Sequence, residues 1–142
     1  MSGRAIAPAL SLLWAGLVLG GSLIAAPAIF QAQTLSLPVA LDVGSAQFLW
    51  IGIAEGALCA AFLLAQSFAG GVNWKLAAVP FFLLLVQRFI IMPPLDARTL
   101  QIIAGESAGE SHLHIVFIVM EVIKVIALFV IAWAGLSADA RR

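Results

Sequence analysis

Apolar residues along the chain fall into four long runs divided by short polar breaks. The runs cover about Ala7 to Phe30, Ala46 to Ala69, Lys75 to Met92 and Leu113 to Leu136. Each comes close to the ~20 residues that a helix needs to cross ~30 Å of hydrocarbon. None alternates with the two-residue period of a half-buried strand, so the pattern predicts four transmembrane helices. Turn residues mark the breaks: Pro38 and Gly44 lie between the first two runs, and Gly70-Gly71-Val72-Asn73 lies between the second and third. Pro93-Pro94 is expected to end the third run, because proline lacks an N–H and disfavours helix in the residue before it. The one long polar segment, 95–111, has room for a short interfacial helix over Asp96 to Ile103, stopped by Gly105. The first run follows Arg4 and contains Ala26-Pro27-Ala28, in the manner of a secretory leader, but it exceeds the ~7–15 residues of a leader's apolar core. It therefore reads as a membrane helix.

Composition strengthens this reading. Of 142 residues, 63% are hydrophobic and 10% charged, against about 45–50% and about 25% in a soluble domain. One core of this size cannot hide so much apolar surface, and the surplus must face lipid. The fold expected is all-α, a single four-helix transmembrane bundle spanning 1–142. Seven basic residues balance seven acidic ones with no basic run, which argues against nucleic acid as a partner. Cys59 is the only cysteine, so no intramolecular disulfide can form.

Basic residues near helix ends set orientation. Arg4, Lys75, Arg141 and Arg142 fall on one side, against Arg98 and Arg88 on the other. That predicts a multi-pass protein of an inner (plasma) membrane with both termini inside. Gly16 and Gly20, and again Gly52 and Gly56, share the four-residue spacing that lets membrane helices approach closely. Trp14, Trp50, Trp74 and Trp133 lie mostly near run ends, as an interfacial belt does. Trp50 has an alternative role as the wall of a pocket.

Ionisable groups inside the apolar runs carry the chemical information, since each costs about 2.5–3.5 kcal/mol at a helix centre unless paired or wetted. They are Glu55, Arg88, Glu121 and Lys124, with His112 and His114 at the mouth of the fourth helix. At 1.5 Å per residue from the outer helix ends, Glu55 lies about 13 Å deep, Glu121 about 12 Å, Lys124 about 16 Å and Arg88 about 7 Å. On the fourth helix His114, Phe117, Glu121 and Lys124 share one face within about 80°. Glu121 and Lys124 can pair at i, i+3. Glu55 then turns to Arg88, or both acids share both bases, for a net charge of zero.

The network either fixes helix register or lines an outward-facing cavity for a small polar or charged ligand. Candidate ligands include a metal ion on His112, His114 and Glu121, with Glu55, Glu106 and Glu110 near by, although His-x-His is a weak signal. A quinone or lipid headgroup on Arg88 and Lys124 is another candidate. Two histidines two apart on one helix cannot both be axial haem ligands. There is no CxxC, phosphate-binding loop, H-E-x-x-H or nucleophile–base set, so an enzyme is the minority reading.

Two stretches carry a family resemblance. One is Leu13-Trp14-Ala15-Gly16 through Ala25-Ala26-Pro27-Ala28-Ile29-Phe30. The other runs from Met92-Pro93-Pro94-Leu95-Asp96-Ala97-Arg98 into Ser111-His112-Leu113-His114 and on to Glu121-Val122-Ile123-Lys124. Together, over most of the chain, they resemble uncharacterised bacterial four-helix membrane proteins, distantly like the transmembrane-protein-205-like group. The resemblance implies a four-helix bundle and no particular activity. It also matches His114 to the histidine that leads that group's last helix, whereas the Glu121–Lys124 pair departs from the group's uncharged pattern. Three functions follow: ligand or ion handling in an intramembrane cavity, an accessory subunit of a larger membrane complex, or a membrane redox or metal enzyme. Partners beyond the lipid bilayer would be further copies of the chain or that larger complex.

Overall fold

A computed structural model describes residues 5–69 and 74–140. Four helices make up almost all of it: α1 (Ile6–Gln31), α2 (Leu37–Ala69), α3 (Trp74–Ile103) and α4 (Leu113–Ala140). All four are long and apolar enough to span a membrane, and no strand occurs among the described residues. The fold is thus the expected all-α four-helix bundle of a multi-pass membrane protein. The Gly70–Asn73 break, Arg4, Arg141 and Arg142 lie outside the described residues.

The helices form a ring. α1 packs between α2 and α4, and α3 closes the other side. Residues 74–86 of α3 lie against α4 while Met92–Ile103 lies against α2, so α3 leans across the bundle. One apolar core joins Trp14 and Val18 of α1, Cys59 and Phe62 of α2, Leu84 of α3 and Leu128 of α4. A smaller cluster of Ile91, Met92 and Phe117 closes the end at which α4 begins.

Prolines shape two of the helices in a way the hydropathy pattern does not reveal. Pro93-Pro94 does not end α3. The chain widens into π-type turns over Gln87–Ile91 and continues as α-helix from Met92 to Ile103. The Met92 N–H reaches back to the Gln87 carbonyl, five residues away. A proline ring clashes with the carbonyl four residues earlier and offers it no donor. Wider turns just before the pair move those carbonyls aside, and both prolines then sit in the opening turn of a new α segment, where no N–H is needed. The same sequence of events occurs in α1, where π-type turns over Val18–Ala25 precede Ala26-Pro27. The interfacial helix expected over Asp96 to Ile103 is thus the last part of α3. It ends at Gly105, the one described glycine with positive φ, at 80°.

α2 also starts earlier than its hydropathy suggests, at Leu37 instead of Ala46, with Pro38 in its first turn. Proline there is pre-set for helix and loses no hydrogen bond. Of the two glycine pairs only Gly52 meets another helix closely, through the Arg88 side chain of α3. Gly16, Gly20 and Gly56 face open space. Close approach also occurs at Gly21, where an added Cβ would lie 2.6 Å from Ile51 Cδ1, and at Gly135 against Pro8. Trp50, Trp74 and Trp133 are 69%, 72% and 77% exposed, as belt residues would be. Trp14 is wholly buried and is not one of them.

Candidate functional site

Every helix contributes a polar side chain to one buried cluster. Lys124 projects from α4 into the ring and is completely shielded, at 0% exposure. Its ammonium meets three oxygens: Glu55 Oε1 of α2 at 2.6 Å, Gln87 Oε1 of α3 at 2.8 Å and Glu121 Oε1 of its own helix at 3.2 Å. An ammonium has three N–H donors, so all three are matched. Gln87 is just as fully engaged. Its Nε2 donates to Glu121 Oε1 at 3.1 Å and to the Phe117 carbonyl at 3.3 Å. Trp14 of α1 completes the set by donating its indole N–H to Glu55 Oε1 at 2.7 Å.

Helix geometry brings these groups to one level. Lys124 lies eleven residues into α4, about 16 Å along its axis, and Glu55 lies eighteen residues into α2, about 27 Å along. Because the two side chains touch, the first turns of α2 must project about 11 Å past the start of α4. The π-type turns matter as well. Gln87 opens the wide segment of α3, and Ser22 belongs to that of α1. The Gly21 carbonyl in the same α1 segment also accepts a 2.8 Å bond from Gln47 Nε2, which ties α1 to α2.

Two polar atoms near this cluster are buried with no hydrogen-bond partner: Glu121 Oε2 and Ser22 Oγ. Ser22, Glu55, Gln87 and Arg88 line a cavity of about 20 Å³ beside the ion pair. With these four polar groups set among otherwise apolar walls, a cavity of that size has room for one water molecule or small ion. Phe48 and Met92 form part of its wall and also border a larger groove, of about 320 Å³, that opens at the start of α4 beside Asp96, Thr99 and His114. Phe48 meets Phe117 edge to face at 5.4 Å, which makes an apolar partition between groove and cavity.

Of the residues singled out from sequence, Glu55, Glu121 and Lys124 come together. Arg88 does not pair with Glu55. Among the described residues no carboxylate lies within 4.0 Å of it, and its guanidinium rests over Gly52, 3.1 Å from where a Cβ would be. Lys124 takes the place expected for Arg88, whose side chain lies along the cavity wall at Gly52 instead. His114 leaves the buried face. It is exposed in the first turn of α4 and borders the groove, two turns from Glu121. His112 is exposed just ahead of the helix. The metal set of His112, His114 and Glu121 is therefore not assembled, and no group of three His, Cys, Asp or Glu side chains suited to a metal occurs among the described residues.

Gln87 and Trp14 are the members that sequence reasoning missed. Gln87 carries no charge to flag it, although a glutamine opening the wide turns before a Pro-Pro pair is a readable signal. Trp14 lies eight residues inside its helix, deeper than an interfacial belt requires.

No family model, curated protein or solved structure matches this chain.

Proposed function

We propose that this protein handles a small cation inside the membrane, binding it between Glu55 and Glu121 in exchange with the Lys124 ammonium and carrying it across. One observation supports this reading above the others. Three oxygens from three helices form a cation seat at the centre of the bundle, and a tethered ammonium occupies it. Two carboxylates share that one ammonium, so the seat has more anionic capacity than Lys124 alone uses. A mobile lysine can withdraw from such a seat when another cation enters, because the incoming charge replaces its own at little net electrostatic cost. Charges at this depth are expensive, which favours a role in conduction or coupling. The cavity beside Glu55 and the groove beyond Phe48 and Met92 provide the route. With both termini on the cytoplasmic side of an inner membrane, the groove faces outward.

Trp14 supplies the test, because its indole N–H bonds the same Glu55 oxygen as Lys124. In a variant with Trp50, Trp74 and Trp133 changed to Phe, the remaining emission is that of Trp14. Saturable shifts of that emission with proton, Na⁺ or K⁺ concentration, lost in Glu55→Gln, support the proposal. Emission that is indifferent to all three ions refutes it.

A second reading has its own support. All three Lys124 donors are satisfied, as in a lock that fixes helix register, and an accessory subunit of a larger membrane complex would use the cluster in that way. Co-purification of stoichiometric partners in mild detergent, together with silent Trp14 emission, would favour it.

A further inference from the structure

Resting on the cation-handling reading, we infer that the exchangeable cation is a proton and that in the closed state it is held by Glu121, on Oε2. The inference begins with satisfaction of buried atoms. Each acid engages Oε1 alone, Glu55 with Trp14 and Lys124 and Glu121 with Lys124 and Gln87, and of the two remaining oxygens it is Glu121 Oε2 that is sealed from solvent. Glu121 Oε2 has no partner, in a residue 1% exposed. A bare anionic oxygen in that position is far costlier than a neutral hydroxyl, since desolvating a charge exceeds desolvating a polar group by a wide margin. Protonation at Oε2 leaves Oε1 free to accept from Lys124 and Gln87 as observed.

Charge leads to the same site. The groups facing Glu121 and Glu55 are Trp14 and Ser22 from α1, Cys59 from α2, Gln87 and Arg88 from α3, and Lys124 from α4. Of the two cations, only Lys124 touches a carboxylate. With Glu121 neutral, Glu55 and Lys124 form a one-to-one pair, and the fully buried trio carries no net charge, Arg88 lying only partly buried beside it. With Glu121 ionised, two anions compete for one ammonium, which is the state that draws in another cation. Ser22 is the independent observation that the neighbouring cavity is built for a ligand. Its hydroxyl is unpartnered, 94% buried by the 6% exposure of its residue, and borders the cavity beside Glu55. Glu55 borders that cavity and Glu121 does not, so the proton leaves by way of Glu55. On release the Oε2–H bond breaks and its electron pair stays with the Glu121 carboxylate, while the Glu55 carboxylate takes the proton and then gives it up to water in the cavity.

Infrared spectroscopy of the full chain in lipid, with isotopically labelled glutamate, tests the assignment. At neutral pH the wild type should show a protonated-carboxyl band at the glutamate-labelled position, equivalent to one group per chain, which disappears at high pH. Glu121→Gln should lose that band, and so should Glu55→Gln, where Glu121 ionises to pair with Lys124, so the aspartate variants locate the proton: Glu55→Asp should keep the band in place. Glu121→Asp, which preserves the charge pattern if the glutamine variant does not fold, should move it to the unlabelled position. Absence of the band in wild type, or its move to the unlabelled position in Glu55→Asp and not in Glu121→Asp, overturns the inference. If Trp14 emission still responds to Na⁺ or K⁺ in that case, cation handling survives and only the proton assignment falls. If emission responds to no ion, both fall together.

Discussion

Lys124→Met is the most informative single change. It retains the length and apolar stem of the side chain and removes the ammonium that joins α2, α3 and α4. Glu55 keeps the Trp14 N–H and Glu121 keeps the Gln87 amide, but each loses a charge-assisted bond, and Gln87 Oε1 loses its donor. A hydrogen bond to a charged group contributes about 1.5–3 kcal/mol. Loss of the Glu55 bond together with an unmatched Gln87 carbonyl gives a cost of about 3–5 kcal/mol, the range seen when one partner of a buried pair is removed. Glu55→Gln alone should cost less, about 1–2 kcal/mol, because Glu121 can ionise and take over the ammonium. Combining the two substitutions removes both charges and should recover at least half of the Lys124→Met loss, since replacing a whole buried pair is often near neutral. Equilibrium unfolding in mixed micelles of lipid and denaturing detergent, analysed as a double-mutant cycle, gives all three numbers. A cost below about 1 kcal/mol for Lys124→Met, or strict additivity in the double variant, would refute the geometry of the cluster.

Further substitutions probe the remaining contacts by the same unfolding assay. Trp14→Phe deletes the indole N–H but keeps an aromatic ring against Phe62, so it should cost about 1.5–3 kcal/mol, chiefly through Glu55. Gln87→Leu strips the cluster of its only side-chain amide and leaves a Lys124 donor unmatched, for a loss of about 1–3 kcal/mol. Gly135→Val should destabilise by about 1–3 kcal/mol because its Cβ would press into Pro8, whereas Gly16→Leu, which faces open space, should change stability by no more than about 0.5 kcal/mol. Changing Pro93 and Pro94 together to Ala frees α3 to resume regular α turns. Gln87 should then rotate away, and the double variant should lose about as much stability as Gln87→Leu.

Much of this architecture is legible in the hydropathy of the chain. A run of about twenty apolar residues has few alternatives to spanning lipid, so all four helices can be identified, and the face of α4 that holds Phe117, Glu121 and Lys124 follows from a period of 3.6. The rest depends on tertiary facts. Which base meets Glu55 is decided by how α3 and α4 cross, not by depth, and so Lys124 takes the place assigned to Arg88. The register shift before Pro93-Pro94 comes from a clash between ring and carbonyl that hydropathy does not encode, and it carries α3 past the expected end. His114 shares a helical face with Glu121, yet it lies in the first turn, where it borders the open groove. Gln87 draws no attention as an uncharged residue and Trp14 reads as a belt residue, until a buried ion needs their hydrogen bonds.

The central claim is that the Glu55–Lys124–Glu121 cluster exchanges a small cation, and ion flux tests it most directly. Purified protein would be reconstituted into vesicles that enclose a pH-sensitive dye and are placed under an imposed pH gradient. The gradient should collapse faster with wild-type protein than in empty vesicles, and Glu55→Gln with Glu121→Gln, reconstituted to the same density, should fall back to the rate of empty vesicles. Equal rates for wild type, the double variant and empty vesicles, repeated with Na⁺ and K⁺ gradients, would contradict the account and leave the cluster as a structural lock.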